Sequence, residues 1–180
     1  DVIVLAVKPQ AAAAALAPLN GALSRSALVI SIMAGVRLAT IERLVGSPVI
    51  VRAMPNTPAQ IGEGVSAWTS TAAVSEPQTE QARALLSALG EEIQVANEDY
   101  VDMATALSGS GPAYVFLFIE ALIDAGVQIG LPRPVAERMA IQTVRGSALY
   151  AQRAGQHPAI LRNMVTSPGG TTAAGLFALE

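Results

Sequence analysis

The sequence opens on Asp1-Val2-Ile3-Val4-Leu5-Ala6-Val7-Lys8-Pro9, an apolar run that ends at a lysine and a proline. An uninterrupted apolar run of this length, bounded by polar and turn residues, is typical of a strand buried in a parallel sheet. A natural chain begins with methionine, and a protein seldom opens in the middle of its sheet. We therefore expect this chain to be a fragment, or an N-terminal portion to precede Asp1.

Apolar runs alternate with helical patterns through the first half of the chain. The predicted strands are Val2–Val7, Leu28–Ile32, Val49–Ala53, Val65–Thr69 and Glu92–Val95. The predicted helices between them are Gln10–Leu19, Arg37–Leu44 and Glu76–Leu89. This alternation predicts a parallel sheet covered by helices, that is, part of an α/β Rossmann-type domain.

The second half of the chain is predicted to be all-helical. Asn97, followed by two acidic residues, is typical of a helix start. A sharp helix break is expected at Ser108–Pro112, with Pro112 opening the next helix. The further helices are Ala113–Ile129, Arg133–Arg153, Pro158–Met164 and Thr172–Leu179. We therefore predict an incomplete Rossmann-type domain over residues 1–97 and an all-α domain over residues 98–180.

The helix predicted around Tyr114–Ala125 is apolar on nearly every side, apart from Glu120 and Asp124. Such a helix must be enclosed. About 80 residues offer little volume for that, so a second subunit is expected to cover it through a large apolar interface. The alternative is a monomer with this helix at its centre.

Composition excludes several kinds of protein. The 180 residues include no cysteine and one histidine, and the net charge is −3. Disulfides, thiolate nucleophiles and His-rich metal sites are therefore excluded, and no metal is expected. His157 is interpreted as a structural or solvated loop residue. The scattered basic residues indicate no nucleic-acid binding. No apolar run approaches the roughly 18 residues of a membrane span, and no signal peptide is apparent, so we expect a cytoplasmic protein.

Three polar or small-residue loops follow three of the predicted strands. They are Ala6-Val7-Lys8-Pro9, Met33-Ala34-Gly35 and Met54-Pro55-Asn56-Thr57-Pro58. Ligands gather at the carboxyl ends of strands in open α/β sheets, so the three loops predict one cleft along the sheet edge. Taken singly, Lys8 can equally be an exposed loop lysine and Gly35 part of an ordinary tight turn.

A glycine-rich turn near the end of the chain leads into the last helix. It reads Val165-Thr166-Ser167-Pro168-Gly169-Gly170-Thr171-Thr172. The first N–H groups of a helix have no internal partner, and the helix dipole is positive there, so such a turn can bind a small anion. A plain cap, with a serine or threonine accepting those N–H groups, is the alternative.

Several strings, in their order along the chain, resemble pyrroline-5-carboxylate reductase. They are Ala6–Pro9, Met54–Pro58, Ala106–Tyr114, Gly130–Arg133 and Val165–Glu180. The resemblance covers essentially the whole chain, and its most specific element is the glycine-rich turn. It implies a Rossmann domain followed by a helical domain that interlocks with a second subunit, and reduction of 1-pyrroline-5-carboxylate to proline by NADPH or NADH. Dimers of the family often form larger rings.

The resemblance also implies roles for particular residues. The substrate carboxylate is expected at backbone N–H groups of the turn, within the set Val165, Ser167, Gly169, Gly170, Thr171 and Thr172. The Thr172 hydroxyl is expected to face the imine nitrogen and to act in catalysis. The cofactor is expected against Ala6, Val7, Lys8, Pro9, Ala34, Gly35 and Asn56.

Other functions stay open at this point. The chain contains no glycine-rich turn that follows a strand, so the part of the family's domain that holds the cofactor pyrophosphate is expected to lie outside this sequence. Two alternatives are a reductase of another imino acid or of a hydroxyacid, and a non-catalytic dimerisation fragment. The absence of lysine from Asn97–Leu107 argues against the hydroxyacid enzymes.

Overall fold

The computed structural model, which describes residues 1–180, contains five strands in one sheet. The strands are β1 (Val2–Leu5), β2 (Leu28–Ser31), β3 (Ile50–Met54), β4 (Gly64–Ser70) and β5 (Gly90–Gln94). They lie side by side in chain order. Each overlaps one of the five predicted strands, and the predicted α/β sheet is confirmed.

The direction of β4 corrects the prediction of an all-parallel sheet. β1, β2 and β3 are parallel neighbours, and β5 is parallel to β4, but β4 runs antiparallel to β3. The connection between β3 and β4 holds only a 3₁₀ turn, Thr57–Ile61. A parallel return requires a crossover of about a dozen or more residues, usually a helix. The short connection therefore forces the chain to reverse.

Eight α-helices complete the fold. They are α1 (Ala12–Leu16), α2 (Leu38–Val45), α3 (Glu76–Ser87), α4 (Glu98–Ala104), α5 (Gly111–Gln128), α6 (Arg133–Ala154), α7 (Pro158–Met164) and α8 (Thr171–Leu179). The predicted helix Gln10–Leu19 is shorter than expected, since 3₁₀ turns that contain Pro9 and Pro18 flank α1.

The two faces of the sheet bury two separate apolar clusters. Val29 and Ile50 pack with residues of α1 and α2 on one face. Leu28, Ile30 and Trp68 pack with residues of α3 on the other. Alternate residues of a strand point to opposite faces, so β2 contributes to both clusters.

β1 is less buried than its sequence suggests. Val2 is 38% exposed and Val4 is 54% exposed, whereas Leu5 is buried. β1 pairs with β2 alone, so its other edge carries no neighbouring strand. Leu5 is thus buried as expected, whereas Val2 and Val4 are exposed in the described chain, in which β1 is an edge strand.

The α-helix is interrupted close to the predicted position, Ser108–Pro112, but by a π-helical segment and not by a turn: α4 ends at Ala104, Ser110 lies in a bend and α5 begins at Gly111. A π-helical segment, Thr105–Gly109, joins α4 to α5, and a helical run extends from Glu98 to Gln128. In place of a regular α-helical bond, the Ser110 N–H donates to the Thr105 carbonyl five residues earlier. The wider π spacing lets the chain pass Pro112, which has no N–H to donate.

The chain forms two compact units, Asp1–Val115 and Phe116–Glu180. Within the second unit, α5 and α6 form a helical hairpin in which a Cβ placed on Gly126 would lie 3.0 Å from the Ala136 Cβ. Gly126 is the one buried residue of α5. The alternative of a monomer with this helix at its centre is therefore wrong.

The run Glu98–Gln128 is long and apolar enough to cross a membrane by length and composition alone, and its most apolar window is not buried within the chain. Core helices of other proteins have the same length and composition. Here several large apolar side chains of the run are exposed in the single chain, among them Tyr114, Phe116 and Leu117.

Candidate functional site

Three of the predicted loops lie at one edge of the sheet. Because β1, β2 and β3 are adjacent and parallel, their carboxyl ends face the same side. Lys8 follows β1, Gly35 follows β2 and Asn56 follows β3. The three strand ends lie along one edge as expected, and the cleft between them stays a prediction.

The first two loops leave space and unused polar groups at this edge. The Lys8 side chain is exposed and makes no hydrogen bond or ion pair, and Val7 is 37% exposed. Met33 is buried at the end of β2, and Gly35 has a φ of +71° with nothing within 4 Å of a Cβ built on it. An L-residue at Gly35 would be strained, and the open space above it admits a flat ligand.

Asn56, in contrast, is held at both ends of its amide. The side-chain oxygen accepts a hydrogen bond from the Val65 N–H at 2.9 Å. The side-chain nitrogen donates to the Ser108 carbonyl at 3.1 Å. The loop after β3 is thereby tied both to the start of β4 and to the π segment.

A cluster of charged residues beside this edge was not predicted from the sequence. Arg52 of β3 is 1% exposed and forms ion pairs with Glu98, at 2.8 Å, and with Asp102 of α4. Arg37 pairs with Asp99 at 2.5 Å and with Asp102 at 2.9 Å. The sequence does carry a signal for this cluster. Arg52 interrupts an apolar strand, and a later helix has three acidic residues within two turns, so ion pairs between the two elements could have been predicted.

The cluster shifts the pKa of two of its members: Asp99 raises the pKa of the Arg37 guanidinium, and the pKa of the Asp102 carboxyl is lowered. The hydrogen bond from Arg52 is the main cause that holds the pKa of the Asp102 carboxyl below its ordinary value, against the opposing effect of burial. A depressed carboxyl pKa stabilises the fold above the pKa of the unfolded chain, and that contribution is lost as the pH falls through the folded value. The cluster thus anchors α4 to β3 at neutral pH.

The glycine-rich turn of the second unit precedes α8. Gly169 has a φ of +71°, and the Gly170 N–H donates to the Ser167 carbonyl at 3.0 Å. The Thr166 hydroxyl donates to the Arg162 carbonyl at 2.7 Å, which ties the turn to the end of α7. Gly170 is the residue before α8 and has no side chain with which to cap it.

The first turn of α8 has free polar groups. No hydrogen-bond partner within the chain is found for the N–H groups of Thr171, Thr172 and Ala173, and the first backbone bond is from Ala174 to Gly170 at 3.2 Å. The hydroxyls of Ser167, Thr171 and Thr172 are also unpaired. The side-chain cap that was the alternative reading of this segment is not formed. The turn therefore offers several donors to one small acceptor.

His157 and a small cavity lie near this turn in the second unit. The His157 Nδ1 accepts a hydrogen bond from the Ala159 N–H at 3.2 Å and caps α7, which is the structural role expected of it. A cavity of about 280 Å³ shares only Val165 with the turn. It is lined by Ser147, Tyr150, Ala151, Pro158, Leu161, Arg162 and Val165.

A Rossmann-type sheet with free loops at its parallel strand ends, followed by helices and a glycine-rich turn with unpaired N–H groups, is typical of the class of dinucleotide-dependent oxidoreductases. Residues 98–180 match the family model described as pyrroline-5-carboxylate reductase dimerisation. The whole chain is 48% identical over 180 residues to the pyrroline-5-carboxylate reductase of Synechocystis sp., of which it covers 67%. It is 41% identical over 181 residues to that of Escherichia coli, of which it also covers 67%.

Solved structures agree with these relatives. Plasmodium falciparum pyrroline carboxylate reductase with NADP bound superposes with a TM-score of 0.91 at 41% identity, over 98% of this chain and 71% of that chain. This chain belongs to the pyrroline-5-carboxylate reductase family, as its motifs predicted. It spans about two thirds of the length of the curated relatives it matches.

Proposed function

We propose that this chain supplies the substrate turn and part of the cofactor site of an enzyme that reduces 1-pyrroline-5-carboxylate to L-proline with NADPH or NADH. The observation that carries the proposal is the set of unpaired donors at the start of α8, in a chain of this family. The substrate of the proposed reaction, 1-pyrroline-5-carboxylate, is a small imino acid with one carboxylate. It matches a site that offers several N–H groups to one anion.

The turn Ser167–Thr172 binds the carboxylate. A carboxylate is costly to desolvate unless its oxygens are hydrogen-bonded. The N–H groups of Thr171, Thr172 and Ala173 converge at the positive end of the α8 dipole and offset that cost. Gly169 provides the positive φ of the turn, and a Cβ on Gly170 would lie 3.2 Å from the Ser167 carbonyl oxygen. Both glycines therefore maintain the shape of the turn.

Thr172 acts on the ring nitrogen. Its side chain is half-buried and its hydroxyl has no partner within the chain. An imine carbon accepts hydride more readily when its nitrogen is protonated or strongly hydrogen-bonded, and the product amine needs a proton. A hydroxyl held beside the bound carboxylate can donate or relay that proton.

The sheet edge holds the cofactor. The residues present fit a dinucleotide's nicotinamide-ribose end, since Ala6–Pro9 and Ala34-Gly35 leave open space and the unpaired Lys8 ammonium can meet a ribose hydroxyl or a phosphate. Once bound there, the reduced nicotinamide supplies the hydride. Positioning of the two reactants is the main contribution of the protein.

The substrate proposal is tested by comparing two cyclic imines on the intact protein. The rate of NADPH or NADH oxidation is measured with 1-pyrroline-5-carboxylate and with 1-pyrroline, which is the same ring without the carboxylate. We expect kcat/KM to be at least about 10²-fold higher for the carboxylate, the value of a few charge-assisted hydrogen bonds. Equal rates with the two rings would contradict the role of the turn, and no oxidation with either would contradict the reductase.

We also infer that the helical region forms a homodimer, in keeping with the family description of residues 98–180. Phe116, Leu117 and Phe118 of α5 are 58%, 66% and 49% exposed in the single chain. Contiguous exposed apolar surface of this kind marks an interface. A second copy of the same helices offers it a matching apolar surface.

The dimer is tested with Leu117→Glu and the control Ile61→Glu. Both change an exposed apolar residue to an acid, but Ile61, 78% exposed, lies in the loop before β4. We expect sedimentation to show a dimer for the unchanged protein and the control, and a weakening of association by at least about tenfold for Leu117→Glu, because a buried unpaired carboxylate is costly. An unchanged dimer in Leu117→Glu would place the interface elsewhere.

A further inference from the structure

The π segment leaves one carbonyl in need of a donor. In a regular α-helix the Ser108 carbonyl would accept from the N–H of residue 112. That residue is proline, which has no N–H. The neighbouring bonds bypass Ser108, since Ser110 donates to Thr105 and Ala113 donates to Ser110. Backbone carbonyls of partly buried segments are almost always satisfied, so another group must serve Ser108.

Asn56 is the group that supplies the donor. Its side-chain nitrogen lies 3.1 Å from the Ser108 carbonyl oxygen, while its side-chain oxygen accepts from the Val65 N–H at 2.9 Å. The first bond needs a donor and the second an acceptor. Only an amide of this size presents both. Aspartate would keep the acceptor, and alanine would keep neither.

Two further contacts join β3 to the same helical run. Arg52 pairs with Glu98 and Asp102 of α4. A Cβ on Gly109 would lie 2.8 Å from the Met54 Cε, so Met54 packs closely against the π segment. Arg52, Met54 and Asn56 are alternate residues along the chain. One side of β3 and its loop is thus fastened along Glu98–Gly109, and Asn56 is the contact nearest to the predicted cofactor edge.

We propose that Asn56 is a positioning residue, which holds the loop after β3 against the π segment because Pro112 leaves the Ser108 carbonyl without a helical partner. Its action on catalysis rests on the proposed reductase function. Asn56 keeps the third strand-end loop in the place where the other two meet it, and its amide is committed to protein groups at both ends. We propose this positioning role for Asn56 in place of the cofactor contact that the family resemblance implies.

The test is a rescue experiment on the intact protein with Asn56→Ala, Asn56→Asp, Pro112→Ala and the double variant Asn56→Ala/Pro112→Ala. Alanine at 112 restores an N–H that can bond the Ser108 carbonyl. We expect both Asn56 variants to lower kcat about tenfold, with KM for the dinucleotide changed by less than about twofold. Pro112→Ala alone should stay near the unchanged rate, and the double variant should recover most of the loss.

Loss of affinity for the dinucleotide at unchanged kcat in the Asn56 variants, with no recovery in the double variant, would overturn the proposal in favour of a direct cofactor contact. An Asn56→Asp variant as active as the unchanged protein would also overturn it, because that variant lacks the donor for Ser108.

A second measurement separates this proposal from the reductase function. Urea unfolding followed by circular dichroism should show a lower midpoint for Asn56→Ala and a recovery in the double variant, whether or not the protein reduces any imine. Additive effects of Asn56→Ala and Pro112→Ala on unfolding would show that the two residues do not share the Ser108 carbonyl.

Discussion

Replacing Thr172 by alanine should lower kcat for 1-pyrroline-5-carboxylate by about 10²-fold or more, because a positioned proton donor typically contributes about 10²–10⁴-fold. Thr172 lies in the first turn of α8, half-buried, with a hydroxyl that makes no bond within the chain. Removing an unpaired hydroxyl there should cost little stability. Steady-state kinetics and dinucleotide binding on the intact protein would measure the effect, and we expect dinucleotide affinity to stay nearly unchanged.

Thr172→Ser is the matched control, since it keeps the hydroxyl and removes one methyl group. It should retain most of the turnover. Thr171→Ala tests position, because Thr171 is exposed and one residue earlier in the same turn. Unchanged kinetics in Thr172→Ala would remove this hydroxyl from the mechanism. An equal loss in Thr171→Ala would instead assign the effect to the shape of the turn.

Replacing Trp68 by alanine should lower the free energy of unfolding by about 3–5 kcal/mol, the usual cost of such a truncation in a core. Trp68 is fully buried on β4 and belongs to one apolar cluster with Leu28 and Ile30 of β2 and Val51 of β3. Its indole N–H also donates to Glu92 of β5 at 2.5 Å. A loss of this size is a large share of the roughly 5–15 kcal/mol that stabilises a typical protein.

Trp68→Phe separates packing from the hydrogen bond. It keeps most of the ring volume but leaves Glu92 with Arg83 as its remaining partner, at 3.2 Å. We expect a smaller loss than for alanine. Urea unfolding should be followed by circular dichroism, because both variants remove the one tryptophan of the sequence. A loss below about 1 kcal/mol in Trp68→Ala would contradict the core placement, since surface changes cost about this little.

The candidate site was partly predictable because its elements are local. The Ser167–Thr172 turn combines glycines, a proline and hydroxyls at the start of an apolar segment, and such a pattern acts over a few residues. The loops after β1 and β2 are local in the same sense. Their assignment to a substrate and a cofactor came from the resemblance to a family, and the particular residue contacts stay predictions.

The contacts of Asn56, Arg52 and Trp68 were not predictable in this way. Asn56 bonds Ser108, which is 52 residues further along the chain, and Arg52 bonds Asp102 at a separation of 50. Nothing near either residue in the sequence identifies its partner. The sequence indicated an interruption before Pro112 but not its π-helical form, because the bonding around this proline includes a side chain brought in from the loop after β3.

By itself the sequence determined the kind and the order of nearly all elements, the family, and the loops that we propose as substrate and cofactor sites. These depend on hydrophobic periodicity, turn residues and short motifs, which act between neighbours along the chain. The tertiary structure alone decided the reversed direction of β4, the π-helical link between α4 and α5 and the uncovered surface of α5. Each of these depends on which distant groups come to lie side by side and on what covers them, and so on the summed packing and hydrogen bonding of the folded chain.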